Sequence, residues 1–233
     1  MSASHGVLRA VVSRAAMHAS TDAALSAGGT TADLRADAYG HGVIETARVA
    51  ATAGVESVIV DDISLVAALA DLGLRADVTG SADIDPNVMY GLVAAEAVPP
   101  MRLSGRVLST KRAEPGEGVS YGYTHVFARP TTVALVTGGY AQGIVRALGN
   151  RAEVEIEGQR HPIVGRVAMD VCVVDLETAD AAVAARLEDA DVVYFGGTGP
   201  ARENLTLWAE MTEMTTAELI SVVGAKAVRE WTS

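Results

Sequence analysis

Short apolar runs alternate with alanine-rich stretches over the first part of the chain. The runs have the length and β-branched content of strands, and the alanine-rich stretches end at glycines, as helices usually do. The predicted strands are 7–12, 31–35, 55–60 and 75–78, and the predicted helices are 15–27, 43–53 and 64–72. This alternation is typical of βαβ units, so the pattern predicts a parallel sheet, with a loop over residues 37–42.

The pattern changes at Pro99-Pro100, where two consecutive prolines mark a boundary. Beyond it, turn glycines separate predicted strands at 101–109, 131–136, 152–156, 167–175 and 192–195. Glu157-Gly158 is a hairpin signal, because glycine supplies the positive φ of a tight turn. A helix is predicted over residues 216–223. The fold class is therefore α/β plus β, with domains at residues 1–98 and 99–233.

The first domain is too short to be a complete (β/α)₈ barrel, which needs about 250 residues. Four strand–helix units make half of one, so we predict a partial TIM-type barrel. Such a half-barrel has an open sheet edge and an apolar face, and we expect the β-rich domain or another chain to cover them.

Composition narrows the class of protein. The 233 residues carry a formal net charge of −11, which argues against sequence-independent binding to nucleic acid. Polar residues interrupt every apolar run before it could span a membrane, so we expect no membrane partner. The single cysteine, Cys172, excludes an intramolecular disulfide and fits a reducing, cytoplasmic location. No metal-ligand spacing is found among the histidines and Cys172.

The most specific string, A-D-L-R-A-D-A-Y-G-H-G at residues 32–42, follows a predicted strand and opens a helix. Ligands bind at this end of parallel strands in α/β folds. Arg35, Tyr39 and His41 offer a cation, a phenol and an imidazole there. From the spacing alone, a glycine-rich turn with a surface histidine and an anion site at the helix start both remain open.

This string resembles that of the alanine racemase family, fold-type III enzymes that use pyridoxal phosphate (PLP). Where the family has the lysine that forms the Schiff base with PLP, this chain has Arg35. Three more motifs resemble the family in the same order: G-V-S-Y-G at 118–122, G-Y-A-Q-G-I-V-R at 139–146 and G-R-V-A-M-D at 165–170. The resemblance covers most of the chain and implies an alanine-racemase-like C-terminal β domain.

The resemblance also implies roles for single residues. Matching positions are Tyr121 for the second catalytic base, Met169 and Asp170 beside the substrate carboxylate, and Tyr39 and Tyr140 in the cofactor site. Gln142 replaces the usual aspartate, and Ala217 stands where the family has a phosphate-binding tyrosine. The second half of the family's barrel, which holds the cofactor ring and phosphate, has no counterpart.

Arginine cannot take over the chemistry of the family's lysine. The guanidinium has a delocalised lone pair and stays protonated, so it neither condenses with an aldehyde nor acts as a base near neutral pH. Only Lys111 and Lys226 are lysines among the 18 basic residues, and both match structural positions of the family. We therefore expect no cofactor.

Three functions are compatible with these observations. The favoured one is a degenerate family member without racemase activity, retained as a binding or assembly protein. The alternatives are an active alanine or amino-acid racemase, and a subunit that lends Tyr121 to an intact racemase. Because the family completes each site across a head-to-tail dimer, we expect a homodimer, with a heterodimer as the alternative.

Overall fold

The structure, a computed structural model, describes residues 6–93 and 98–233, which form two compact units. The barrel unit comprises the described residues up to Arg9, together with Arg102–Met214 and Lys226–Val228. The parallel-sheet unit comprises Ala10–Met101, Thr215–Ala225 and Arg229–Ser233. Each unit is thus assembled from three separate segments of the chain.

The secondary structure follows in chain order. The helices are α1 (Arg14–Ser26), α2 (Arg35–Tyr39), α3 (Val43–Ala53), α4 (Val66–Ala70), α5 (Pro86–Met89), α6 (Ala181–Arg186), α7 (Asn204–Thr212) and α8 (Thr216–Lys226). The strands are β1 (Arg9–Ser13), β2 (Thr31–Asp33), β3 (Ser57–Ile59), β4 (Arg75–Asp77), β5 (Met101–Ala113), β6 (Gly118–Val119), β7 (His125–Val126), β8 (Thr131–Thr137), β9 (Glu153–Ile156), β10 (Gln159–Val164), β11 (Val171–Asp175), β12 (Asp191–Phe195) and β13 (Val228–Thr232). Short 3₁₀ turns occur at Ile63–Leu65, Tyr140–Gln142 and Arg146–Leu148.

Six antiparallel strands close into a barrel in the barrel unit. Their order is β12-β9-β10-β11-β8-β5, and the pairing of β12 with β5 completes the ring. Closure satisfies the backbone groups that an open sheet would leave at its edges. Trp208 of α7 packs edge-on against Tyr194 and Phe195, with ring centroids 6.1 and 5.6 Å apart. The barrel therefore has its own aromatic core.

The strands predicted for this part of the chain are confirmed, with one correction. Ile156 pairs with Gln159 across Glu157 and Gly158, whose φ angles of 49° and 76° are those of a type I′ hairpin turn. The strand predicted over 167–175 begins only at Val171. The carbonyl groups of residues 168–170 instead accept hydrogen bonds from the backbone of residues 138–141.

A parallel sheet of β2, β3 and β4 forms the centre of the parallel-sheet unit. Side chains alternate between its faces, and Ala32 and Val58 on one face are fully buried. Thr31 and Ser57 on the other face share a hydroxyl–hydroxyl hydrogen bond of 2.7 Å, and Arg75 beside them is exposed. The expected apolar open face is thus polar at these positions.

The first predicted strand lies elsewhere than expected. β1 is a neighbour of β13, the last strand of the chain, so the parallel sheet has three strands instead of four. β13 was not predicted, because it follows α8 almost directly and its five residues alternate too briefly to be distinctive. Ser13 ends β1 and caps α1 by accepting a hydrogen bond from the amide of Ala16.

Helix α8 approaches the turn after α2 through a glycine. A Cβ atom added to Gly224 would lie 2.5 Å from the carbonyl oxygen of Gly40 and 2.6 Å from its Cα. Any side chain at this position would push the helix away from the turn. The helix predicted over 216–223 is confirmed, and it continues to Lys226.

We expect Gly224→Ala to destabilise the protein by about 1–3 kcal/mol, because the added methyl group has no space. Helix propensity alone predicts the opposite sign, since alanine is favoured over glycine by about 1 kcal/mol. The free energy of unfolding in urea shows which of these two opposite effects is larger. Val222→Ala, at an exposed position of the same helix, is the matched control, and a Gly224→Ala variant as stable as wild type would contradict the close contact.

Candidate functional site

The string at residues 32–42 folds as a strand end followed by one turn of left-handed helix. Residues 36–39 have φ angles of 52–54°, a conformation that costs non-glycine residues about 1–2 kcal/mol each. Backbone hydrogen bonds of 2.9 Å from Ala38 to Leu34 and from Gly40 to Ala36 stabilise the turn. It replaces the loop predicted for residues 37–42.

Asp33 and Arg35 form a bidentate ion pair at the carboxyl end of β2. Arg35 Nε donates to Asp33 Oδ1 at 2.9 Å, Arg35 Nη2 donates to Oδ2, and the Arg35 amide donates to Oδ1 at 3.0 Å. Burial alone would raise the pKa of Asp33, but the hydrogen bonds and charge of Arg35 outweigh it and lower that pKa. The hydrogen bond to Asp33 raises the pKa of Arg35 in turn. Both groups are therefore charged.

Two tyrosines contact Asp33, the buried partner of this ion pair, whereas the Arg35 side chain is half exposed. The Tyr90 hydroxyl, fully buried, donates to the carbonyl oxygen of Asp33 at 2.7 Å. The Tyr39 hydroxyl lies 3.4 Å from Asp33 Oδ2, and the two tyrosine rings are 4.7 Å apart. Tyr39, assigned by resemblance to a cofactor site, thus contacts the Asp33 carboxylate.

His41 is a buried, neutral imidazole. Its Nδ1 donates to the carbonyl oxygens of Ala38 and Tyr39 at 3.0 and 3.1 Å, while Nε2 has no partner within the described part of the chain. Burial lowers the pKa of His41 to about 4. The surface histidine considered from the spacing is therefore wrong, and His41 packs 5.0 Å from the Tyr90 ring.

The end of the chain fastens the left-handed turn. Arg229 of β13 donates to the carbonyl oxygen of Gly40 at 2.8 Å and pairs with the Asp37 carboxylate at 2.8 Å. Trp231 donates its indole N–H to the carbonyl oxygen of His41 at 3.1 Å. Partners nearly 190 residues away in sequence thus satisfy the polar groups of the turn.

The carboxyl ends of the parallel strands are acidic. Asp33 ends β2, Asp61 follows β3 and Asp77 ends β4. The Asp61 carboxylate accepts the amide of Ala36 at 2.9 Å, and hydrogen bonds from Thr79 lower the pKa of Asp77. Arg35, already paired with Asp33, is the cation beside them. An anion there would meet the negative charge of these carboxylates as well as the positive charge of Arg35.

The other residues assigned by resemblance lie in loops of the barrel unit. Tyr121 is 81% exposed on the turn between β6 and β7, and Met169 is 54% exposed. The amides of Tyr140 and Ala141 donate to the carbonyl oxygens of Ala168 and Met169 at 2.9 Å. The loops that carry Tyr140, Met169 and Asp170 are therefore joined by their backbones.

The turn that carries Tyr121 is tied to the same region. The Ser120 hydroxyl accepts the amide of Arg166 at 2.7 Å, and Arg166 precedes Met169 by three residues. Gln142 accepts the amide of Gly139 at 2.9 Å and donates to the carbonyl oxygen of Gly6 at 2.7 Å. An aspartate could accept but not donate, so the amide links two segments of this unit.

Both lysines are far from Asp33 and Arg35 in the sequence, and both are assigned to the barrel unit. Lys111 is on β5 and Lys226 is the last residue of α8, and both are exposed and belong to the barrel unit. The parallel-sheet unit contains no lysine at all. Within residues 6–93 and 98–233, no histidine, cysteine, aspartate or glutamate group of three or more could hold a metal ion, and no helix is long and apolar enough to cross a membrane.

The motif indicated Arg35 but not its partners. Asp33 could have been found, because residues two apart on a strand point to the same face and opposite charges there can pair. Tyr90 could not, since it is 57 residues from Asp33 and no local pattern connects them.

Comparison with known proteins connects the chain to one family. The family model described as "Alanine racemase, C-terminal domain" matches residues 100–231. The alanine racemase of Mycolicibacterium vanbaalenii is 38% identical over 133 residues, which are 57% of this chain and 33% of that protein. That of Thermobifida fusca is 36% identical over 134 residues, 58% of this chain and 34% of its own length. The chain thus aligns with about one third of each relative.

Solved structures share the fold. An alanine racemase from Streptomyces lavendulae has a TM-score of 0.80 at 18% identity, with 97% of each chain covered. The alanine racemase from Bartonella henselae, described with covalently bound pyridoxal phosphate, has a TM-score of 0.77 at 15% identity and covers 97% of this chain and 99% of its own. At these identities the similarity concerns the fold alone.

The buried His41 is expected to make stability depend on pH. Unfolded histidine ionises near pH 6.5, whereas folded His41 stays neutral to about pH 4. Between pH 7 and pH 5 the unfolded chain therefore binds more protons than the folded protein does. As the pH is lowered over this range, His41 decreases the free energy of unfolding by about 2 kcal/mol. In urea unfolding, the His41→Gln variant should lose about 2 kcal/mol less stability than the wild-type protein between pH 7 and pH 5. His18→Gln, on the surface of α1, is the control. An unchanged pH dependence in His41→Gln would contradict this assignment.

Proposed function

Since the chain belongs to the alanine racemase family, as the match to residues 100–231 establishes, we propose that it lacks PLP-dependent racemase activity and acts as a binding or assembly protein. The observation that carries the proposal is the guanidinium at position 35, where the family resemblance places the Schiff-base lysine. A guanidinium paired with a carboxylate offers no neutral amine to an aldehyde.

The residues present do not fit PLP. The two lysines of the chain are Lys111 on β5 and Lys226 at the end of α8, both exposed, and neither is at position 35. Asp33, Asp61 and Asp77 lie at the ends of the strands, so the phosphate of a cofactor would meet negative charge there. Ala217 cannot supply the phenol that the family's phosphate-binding tyrosine would provide. These residues therefore provide neither the amine nor the phosphate contacts that PLP requires.

The proposal also covers the architecture of the parallel-sheet unit and the location of the protein. We interpret the parallel sheet of β2–β4, with α3 and α4 between its strands, as part of a TIM-type barrel. We also place the protein in the cytoplasm, supported by the free thiol of Cys172. Burial raises the pKa of that thiol to about 12, so it is an inert structural group.

Assembly is supported by the exposed aromatic loops of the barrel unit. Tyr121, Tyr123 and Met169 expose more than half of their surface, and Tyr140 two fifths. Exposed large side chains of this kind are enriched at protein interfaces. We propose a homodimer that uses these loops, in line with the two-subunit sites that the family resemblance implies.

A heterodimer with an intact racemase is the second candidate function. The exposure of Tyr121 favours it, because a tyrosine at the position of the family's second base would be free to enter another subunit's site. Copurification with a full-length homologue, lost in Tyr121→Ser and kept in Arg35→Lys, would support this function over the homodimer.

Loss of racemase activity is tested with PLP and L-alanine. We expect no D-alanine, and after borohydride reduction we expect pyridoxyl groups only at exposed amines, because Arg35 offers none. Peptide mass spectrometry locates the modified residues, and a Lys111→Arg/Lys226→Arg variant sets the background. Production of D-alanine, or one stoichiometric adduct at a single residue, would overturn the proposal.

Assembly is tested by sedimentation equilibrium. We expect a dimer, and we expect Tyr121→Ser/Tyr123→Ser to raise its dissociation constant at least tenfold, or about 1.4 kcal/mol. Ile63→Ser removes a similarly exposed apolar side chain from the other unit and should have no effect. A wild-type protein that is monomeric at all concentrations would contradict the proposed surface. So would a Tyr121→Ser/Tyr123→Ser variant with the same dissociation constant as the wild-type dimer.

A further inference from the structure

The side chain of residue 35 lies directly against the Asp33 carboxylate. We infer that Asp33 is a second determinant of the lost chemistry: it would hold even a lysine at position 35 as a hydrogen-bonded ammonium ion and so slow its reaction with an aldehyde. This inference rests on the proposed function, in which position 35 is the former Schiff-base position. It gives Asp33 a positioning role, which the family resemblance does not assign to it.

Asp33 cannot easily turn away from residue 35. It is the last residue of β2 and aligns with Ile59 of β3, so the sheet fixes its backbone. Tyr90 holds its carbonyl oxygen at 2.7 Å, and the residue is only 7% exposed. A buried carboxylate in a fixed position keeps its negative charge directed at one neighbour.

A lysine at position 35 would reach the same carboxylate. The lysine stem places Cε where arginine has Nε, so Nζ falls near the guanidinium carbon. Arg35 Nε lies 2.9 Å from Oδ1, and Nη2 bonds to Oδ2, so an ammonium group between them could donate to both oxygens. Hydrogen bonds to a charged carboxylate are among the strong ones in proteins.

The surrounding groups favour the charged amine further. Asp61 lies close enough to contribute to the electrostatic stabilisation of a cation at position 35, and Tyr39 contacts the same carboxylate. Condensation with an aldehyde needs the neutral amine, and each unit by which the lysine pKa rises lowers the neutral fraction tenfold.

The test compares Arg35→Lys with Asp33→Asn/Arg35→Lys, both in a Lys111→Arg/Lys226→Arg background, so that the introduced lysine is the only one in the chain. Asparagine keeps the shape and the acceptor oxygen of Asp33 but removes the charge. Reductive ¹³C-methylation followed by NMR titration gives the pKa of the amine at position 35. We expect it above the ordinary lysine value of about 10.4 while Asp33 is present, and lower by one unit or more once asparagine replaces Asp33.

A second readout is the rate of trapping by PLP at pH 8 in unmethylated samples. The amine lone pair attacks the aldehyde carbon, water leaves, and borohydride delivers hydride to the C=N bond to give a stable secondary amine. We expect about tenfold faster trapping at position 35 in the double variant than in Arg35→Lys. Neither variant should racemise alanine.

Equal pKa values and equal trapping rates in the two variants would overturn the role of Asp33. If the asparagine variant does not fold, Asp33→Val/Arg35→Lys is compared with Arg35→Lys in its place, because valine suits a buried strand position. The proposed function is tested separately, since racemase activity of the wild-type protein would contradict it whatever the two variants show.

Discussion

The bidentate ion pair between Asp33 and Arg35 determines what the carboxyl end of the parallel sheet can do. A carboxylate fixed by a strand and supported by Tyr90 binds the guanidinium through two oxygens. The pair satisfies the charge of both partners. It also places a cation without nucleophilic character at the position where the motif resemblance implies a lysine.

The pair depends in turn on a strained segment that distant residues stabilise. Four consecutive residues, 36–39, have positive φ, which is unfavourable for side chains other than glycine. Arg229 and Gly224, near the end of the chain, bind and closely contact the turn. The shape of this turn therefore depends on residues that lie outside the string at 32–42.

Local signals predicted much of the fold and little of the site. The helix at 43–53 was predicted at its observed bounds because Gly42 and Gly54 delimit it, and the Glu157-Gly158 hairpin follows from its turn residues. The pairing of β1 with β13 depends on contacts across the whole chain. Residues 167–170 have the composition of a strand, but hydrogen bonds to residues 138–141 make them a loop.

Whether the Arg35 guanidinium is committed to Asp33 can be measured by ¹⁵N NMR of the arginine side chains. We expect one Nε–H signal that exchanges slowly with solvent, is absent in Arg35→Lys and exchanges faster in Asp33→Asn. An Arg35 signal that exchanges in the wild-type protein as fast as that of Arg186, an exposed residue of α6, would contradict the ion pair.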